Sequence, residues 1–140
     1  MTYLLATNVL SEVQRPRPDA RVLAWLDQVD EDRPYLSVVS VGEIARGVAQ
    51  LEDGRRKVAL QGWLDSDLPA RFGNRLLPVD RETALAWGQL MAESRRAGRG
   101  LPVMDGWIAA TALRAGLTLV TRNTRDFAGI AIDVLDPWTT

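Results

Sequence analysis

Short apolar runs alternate along this chain with stretches in which apolar residues recur every three or four positions. Tyr3-Leu4-Leu5-Ala6 opens the pattern as a run without a charged member, as expected of a strand buried on both faces of a parallel sheet. Thr7 and Asn8 follow, residues whose side chains bond nearby backbone N–H groups and so favour helix starts; Val9, Leu10, Ser11 and Glu12 continue as a helical turn. A strand that passes straight into a helix sets residue 6 or 7 at the strand's carboxyl end, the edge of an open α/β sheet where ligands sit.

The same alternation recurs to the end of the chain. Pro16 and Pro18 stop the first helix, and Asp19 is placed to cap a second one carrying Val22, Leu23, Leu26 and Val29, with Trp25 beside them. Residues 35–39 read as a second buried strand, and Ser40 as the cap of a helix with Glu43 in its first turn. Residues 54–68 carry a helical pattern, 69–74 a loop, and 75–79 a third strand that Pro78 ends or sets at an edge. Asp80 caps a long helix through Ala84, Trp87, Leu90 and Met91. After the basic turn 95–100, Pro102 begins a helix with Asp105 in its first turns and Ile108, Ala109, Ala112 and Leu113 inward, ended by Gly116. Residues 117–121 form a fourth strand and 132–135 a short last one. This order predicts one α/β domain over residues 1–140, in three layers, with a central parallel sheet of four to five strands and helices on both faces.

Composition narrows the chemistry more than the fold. Hydrophobic residues at 46% and charged residues at 25% are ordinary for a soluble globular protein. No apolar run has the length of a membrane span and the first residues carry no leader pattern, so the expected compartment is the cytoplasm. The chain has no cysteine and no histidine, which excludes a zinc finger, a thiol nucleophile, an imidazole base and a Ser-His-Asp triad. Catalysis would have to run on carboxylates, hydroxyls, arginines or the single Lys57, and carboxylates favour a hard cation such as Mg²⁺ or Mn²⁺. A net charge of −1 does not by itself suggest a nucleic acid partner. The basic residues other than Lys57 are all arginine, which suits bidentate phosphate contact, though coding bias would give the same composition.

The strand ends bring polar residues to one edge: Thr7 and Asn8, then Ser40 and Glu43, then Thr121, Asn123 and Asp126. A lone Glu early in a helix usually answers the helix dipole. Asp105 is harder to dismiss, because Val103-Met104-Asp105-Gly106-Trp107-Ile108-Ala109-Ala110 is otherwise apolar and an unpaired buried carboxylate is costly. Together, Leu4-Leu5-Ala6-Thr7-Asn8-Val9-Leu10-Ser11-Glu12, residues 36–47 around Ser40 and Glu43, residues 105–112 and Leu119-Val120-Thr121-Arg122-Asn123-Thr124-Arg125-Asp126-Phe127 resemble the PIN-domain ribonuclease toxins of VapC type, in particular the FitB-like branch. Four separated motifs agree in order and spacing across essentially the whole chain.

The resemblance implies a Mg²⁺-dependent endoribonuclease, the toxin half of a type II toxin–antitoxin pair, with Mn²⁺ as an alternative ion. The family's first segment reads Leu-Leu-Asp-Thr-Asn, so Ala6 stands where the first metal-binding Asp belongs. Glu43 and Asp105 match the second and third acids, and either Asn123 or Asp126 the fourth polar position. Thr7, Asn8, Ser40 and Thr121 match residues that line or brace the pocket. Every other motif residue is intact, which favours deliberate replacement of the Asp over a decaying gene; either way the resemblance implies weak metal binding and little or no ribonuclease activity. It also implies a homodimer and a small VapB- or FitA-like antitoxin that blocks the pocket. Trp25, Trp63 and Trp87 are core residues by spacing, with an antitoxin groove as the alternative, and Arg15, Arg17, Arg122 and Arg125 are candidates for RNA phosphates. A response-regulator receiver domain fails for want of a paired acid after the first strand and a Lys after the last. A catalytically dead PIN domain that only binds antitoxin or RNA stands as the rival.

Overall fold

The computed structural model describes residues 1–139. Strand β1 (Tyr3–Leu5) runs into α1 (Thr7–Val13), and α2 (Ala20–Gln28) leads to β2 (Pro34–Ser37). Helices α3 (Val38–Ala49), α4 (Arg55–Gly62) and α5 (Leu68–Phe72) precede β3 (Leu76–Leu77). Then come α6 (Arg81–Arg96), α7 (Val103–Ala115), β4 (Thr118–Val120) and β5 (Val134–Leu135). All strand pairs are parallel, in the order β3-β2-β1-β4-β5. The opening apolar run therefore lies at the centre of the sheet, which accounts for the burial on both faces that its composition suggested.

Alternation along each strand divides the core between the two faces of this sheet. Leu5, Leu36 and Val120 point to one face, where Val9, Leu10, Val22, Trp25, Phe72 and Trp138 pack. Leu4, Ala6 and Leu119 belong to the other, against Leu90, Ile108, Ala109 and Phe127 of α6, α7 and the turn after β4. Full burial of a leucine such as Leu4, Leu36 or Leu119 stabilises the fold by about 1.5–3 kcal/mol each. Ala109, Ala110 and Ala112 of α7 are buried in this cluster with Leu4, Ala6 and Leu119, and Asp105, one turn earlier, lines the same cavity as Ala6. Gly116, in the left-handed region at φ 67°, ends α7 as its position suggested.

Local chemistry moved three boundaries. The second strand stops at Ser37, whose hydroxyl accepts from the Val39 N–H at 3.0 Å, so Val38 and Val39 open a helix despite their β-branching. Ser40, expected to be the cap, is inside α3 and fully buried. The loop expected at 69–74 is mostly helix: a π-helical turn (Trp63–Asp67) carries α4 into α5, and Pro69 falls at the start of α5, where its missing N–H costs little. A 3₁₀ turn (Gly73–Arg75) then shortens the third strand to Leu76–Leu77. Asp19 and Asp80 cap α2 and α6 as expected, accepting from the Arg21 and Thr83 N–H groups at 2.8 Å each.

Candidate active site

At the carboxyl ends of β1 and β4 lies an open cavity of about 410 Å³. The β1–α1 segment supplies Ala6, Thr7, Asn8, Ser11, Glu12 and Arg15; α3 supplies Glu43; α7 supplies Asp105 and Ile108; the segment after β4 supplies Thr121, Arg122 and Asn123. Phe127 and Trp138 complete the lining. The topology explains this meeting, because adjacent parallel strands deliver their following residues to the same edge.

Ala6 is 6% exposed and sits at the N-cap of α1 with its N–H bonded to the Val120 carbonyl at 2.9 Å. It belongs to the α6–α7 face of the sheet, the face that carries Asp105. Thr7 Oγ1 lies 2.6 Å from Glu43 Oε1 and 2.9 Å from Ser40 Oγ. Thr7 has one hydroxyl hydrogen, which the carboxylate takes; the Ser40 hydroxyl then donates to Thr7, and this chain aims Glu43 at the cavity. Asp105 has no hydrogen bond or ion pair among the described residues. Burial first, then the negative charges of Asp126 and Glu43, raise its pKa above the ordinary carboxylate value. These acids therefore share one electrostatic field.

The opposite wall is tied together. Asn8 Nδ2 donates to Thr121 Oγ1 at 3.1 Å, and Asn8 Oδ1 accepts from the Arg122 N–H at 3.4 Å. Thr121 Oγ1 also accepts from the Asn123 N–H at 3.1 Å. Buried Glu12 accepts from the Asp19 N–H at 2.9 Å and pairs with Arg15 at 3.4 Å.

Of the four polar positions expected to carry the chemistry, Glu43, Asp105 and Asn123 line the cavity. Asp126 lies in the 3₁₀ turn (Thr124–Phe127), is exposed and does not line it, although its charge reaches Asp105. Arg15 and Arg122 are at the cavity; Arg17 and Arg125 are outside its lining. Among the tryptophans, Trp25 is core, edge-on to Tyr3 at 5.0 Å, and Trp87 stacks on Trp107 at 4.3 Å. Trp63 packs against the core and also lines a groove of about 230 Å³ between α1, α3 and α4, with Ile44, Leu60 and Arg56, which shares Thr7, Ser11 and Glu43 with the cavity. Glu12 and Trp138 were missed as lining residues. Glu12, one helical turn beyond Asn8, had a signal in its spacing; Trp138, brought in by the last strand, had none.

The donor set as it stands does not make a complete metal centre: among the described residues no three His, Cys, Asp or Glu side chains are grouped to hold an ion. A carboxylate at position 6 would add an acid at the β1 edge, on the face that carries Asp105.

Residues 3–133 match the family model for the PIN domain. The chain is 39% identical to Toxin FitB of Neisseria gonorrhoeae over 96% of its own length and 97% of that protein's. It is 35% identical to VapC ribonuclease Y4jK of Sinorhizobium fredii, with 96% of each covered. It is also similar in structure to the crystal structure of FitAcB from Neisseria gonorrhoeae, with a TM-score of 0.94, 38% identity, and 99% of this chain and 100% of that one covered.

Proposed function

Since this chain belongs to the PIN-domain family of VapC-type toxins, we propose that its edge cavity is the site of a Mg²⁺-dependent endoribonuclease, disabled here by Ala6. The observation that carries this reading is the meeting of Glu43, Asp105 and Asn123 around a buried alanine at the end of the central strand. With an Asp at that position, it and Asp105 would hold the ion, and Glu43, aimed by Thr7, would hold a bound water or the ion itself. Bound Mg²⁺ would supply an activated water and offset charge on the scissile phosphate. Mg²⁺ needs only one or two direct carboxylates, so a sparse acidic pocket suffices once the missing acid is present. Mn²⁺ would serve the same oxygen donors.

An antitoxin is the natural partner, because the similar proteins include Toxin FitB and a member of the VapBC family of toxin–antitoxin systems. We assign its docking segment to the groove lined by Ile44, Leu60 and Trp63, which opens onto Glu43 and so leads a bound segment toward the acids. Val103 and Met104, exposed at the start of α7, offer apolar surface to a second copy in a homodimer. No described helix is long and apolar enough to cross a membrane.

The test is paired. This protein and its Ala6→Asp variant, each free of antitoxin, are incubated with total bacterial RNA in Mg²⁺ and in EDTA. Metal-dependent cleavage by the variant, at least about 100-fold above this chain, is expected. No cleavage by either, and no toxicity when the variant is expressed, would instead favour a PIN domain that only binds.

A further inference from the structure

Two cations line the cavity, and they differ in how their charge is met. Arg15 is paired with Glu12 at 3.4 Å. Arg122 has no carboxylate partner among the described residues; its guanidinium lies over the ring of Trp138, 5.4 Å from the centroid. Trp138 is 4% exposed and its ring packs in the core with Leu5, Leu10 and Val120, which makes it a fixed platform, while its backbone N–H donates to Asp136 Oδ1 at 2.8 Å. The Arg122 backbone is held from the other side by Asn8 Oδ1. Arg122 is thus anchored twice, at the main chain by α1 and at the side chain by the last segment, yet its charge is unspent.

We propose that Arg122 binds a backbone phosphate of the RNA strand lying in the cavity, and that Trp138 is the positioning residue that aims it. This deepens the ribonuclease reading and rests on it. A guanidinium stacked on an aromatic face keeps its edge N–H groups free to donate, and those match two phosphate oxygens in one plane. Glu43 and Asp105 lie across the same cavity, so a phosphate held by Arg122 is held beside the acids. Arg125, exposed and outside the lining, lacks both anchors.

The Ala6 chain itself suits the test, because binding can be read without cleavage. Its affinity for a fluorescent single-stranded RNA oligonucleotide is measured from 0.05 to about 0.5 M salt, beside Arg122→Gln, Trp138→Leu, Trp138→Phe and, as a charge control, Arg96→Gln. Losing one phosphate contact lowers the slope of log affinity against log salt by about 0.7, which is about fivefold weaker binding at 0.1 M salt. Arg122→Gln is expected to show that loss, Trp138→Leu part of it, and Trp138→Phe, which keeps a ring face, to match the parent. Trp138→Phe also keeps the question open to measurement if Trp138→Leu does not fold. An unchanged slope in Arg122→Gln, equal losses in Arg96→Gln, or no salt-dependent binding by the parent would overturn the proposal. A slope carried by Trp138→Leu unchanged would remove the positioning role. Cleavage by Ala6→Asp is scored separately, so a nuclease with an idle Arg122 and a binder without nuclease activity give different results.

Discussion

The two walls of the cavity handle their polar groups in opposite ways. On the wall made by α1 and the segment after β4, Asn8, Thr121 and Glu12 are all engaged with protein partners. On the wall made by α3 and α7, Asp105 has no partner among the described residues, and Glu43 is held by the single short bond from Thr7. Buried polar groups are normally paired, and a perturbed acid left unpaired in a cleft marks a site built for something other than the fold. Apart from Arg122 and Asn123, which face the cavity from its rim, the first wall is scaffold, and the second is reagent.

The sharpest way to break this division is to neutralise one group on each wall in the Ala6→Asp background. Asp105→Asn is expected to lower Mg²⁺-dependent RNA cleavage by at least about 100-fold with little loss of fold. Asn8→Ala should do the reverse, costing about 1–3 kcal/mol of stability because it leaves the Arg122 N–H and Thr121 hydroxyl to find other partners, while retaining measurable cleavage. Cleavage assays and chemical denaturation of both variants decide it. If Asp105→Asn cleaves normally, the unpaired wall is not the reagent.

Restoring the missing acid gives the next largest effect. An Asp at position 6 would be a favourable N-cap for α1, worth about 1 kcal/mol. It would also be a buried carboxylate beside Asp105 and Glu43, and two such charges about 4 Å apart repel by roughly 4 kcal/mol at an effective dielectric of about 20. Repulsion outweighs the cap, so Ala6→Asp should melt several degrees below this chain in EDTA and recover in Mg²⁺. An equal or higher melting temperature in EDTA would show that the acids do not share a field.

Of all this, the parallel sheet and the edge that carries the acids were legible in the sequence, because short apolar runs alternating with helical patterns point to buried parallel strands, whereas the strand order β3-β2-β1-β4-β5 was not. Glu43, Asp105 and Asn123 were weak signals singly and became candidates together only through the family resemblance; the structure brings all three to the cavity lining. The choice between Asn123 and Asp126 was not legible, since only the 3₁₀ turn that starts at Thr124 sends Asp126 out of the lining. Ser40 was expected to cap its helix and does not; it lies buried behind Thr7. Both serines can cap, and what decides for Ser37 is that Ser40 is buried against Thr7, a contact 33 residues away in sequence. Trp138 at the cavity rests on the same kind of distant closure, made by the β4–β5 pairing.

The smallest effects test through pH whether Asp105 differs from an acid that serves the fold, because Asp105 and the capping Asp19, outside the cavity, are displaced in opposite directions. Asp19, which caps α2 and whose own backbone N–H donates to Glu12, is lowered to about 2, chiefly by its hydrogen bonds from the Arg21 side chain and backbone. Its ionised form favours the folded state, so its contribution is complete above the unfolded value of 3.8 and disappears as pH falls toward about 2. Asp105 is raised, so its ionisation opposes folding; that penalty is absent below 3.8 and complete once pH has risen through the folded value. In EDTA at pH 6, Asp19→Asn should therefore melt below the parent and Asp105→Asn above it. As pH falls, the two differences should shrink toward zero from opposite sides, with the Asp105→Asn gain gone by about pH 3.8 and the Asp19→Asn loss persisting to lower pH. Two differences of the same sign at pH 6 would mean that the fold favours the charge on Asp105 as it does that on a capping acid, and the reading of Asp105 as reagent would fall with it.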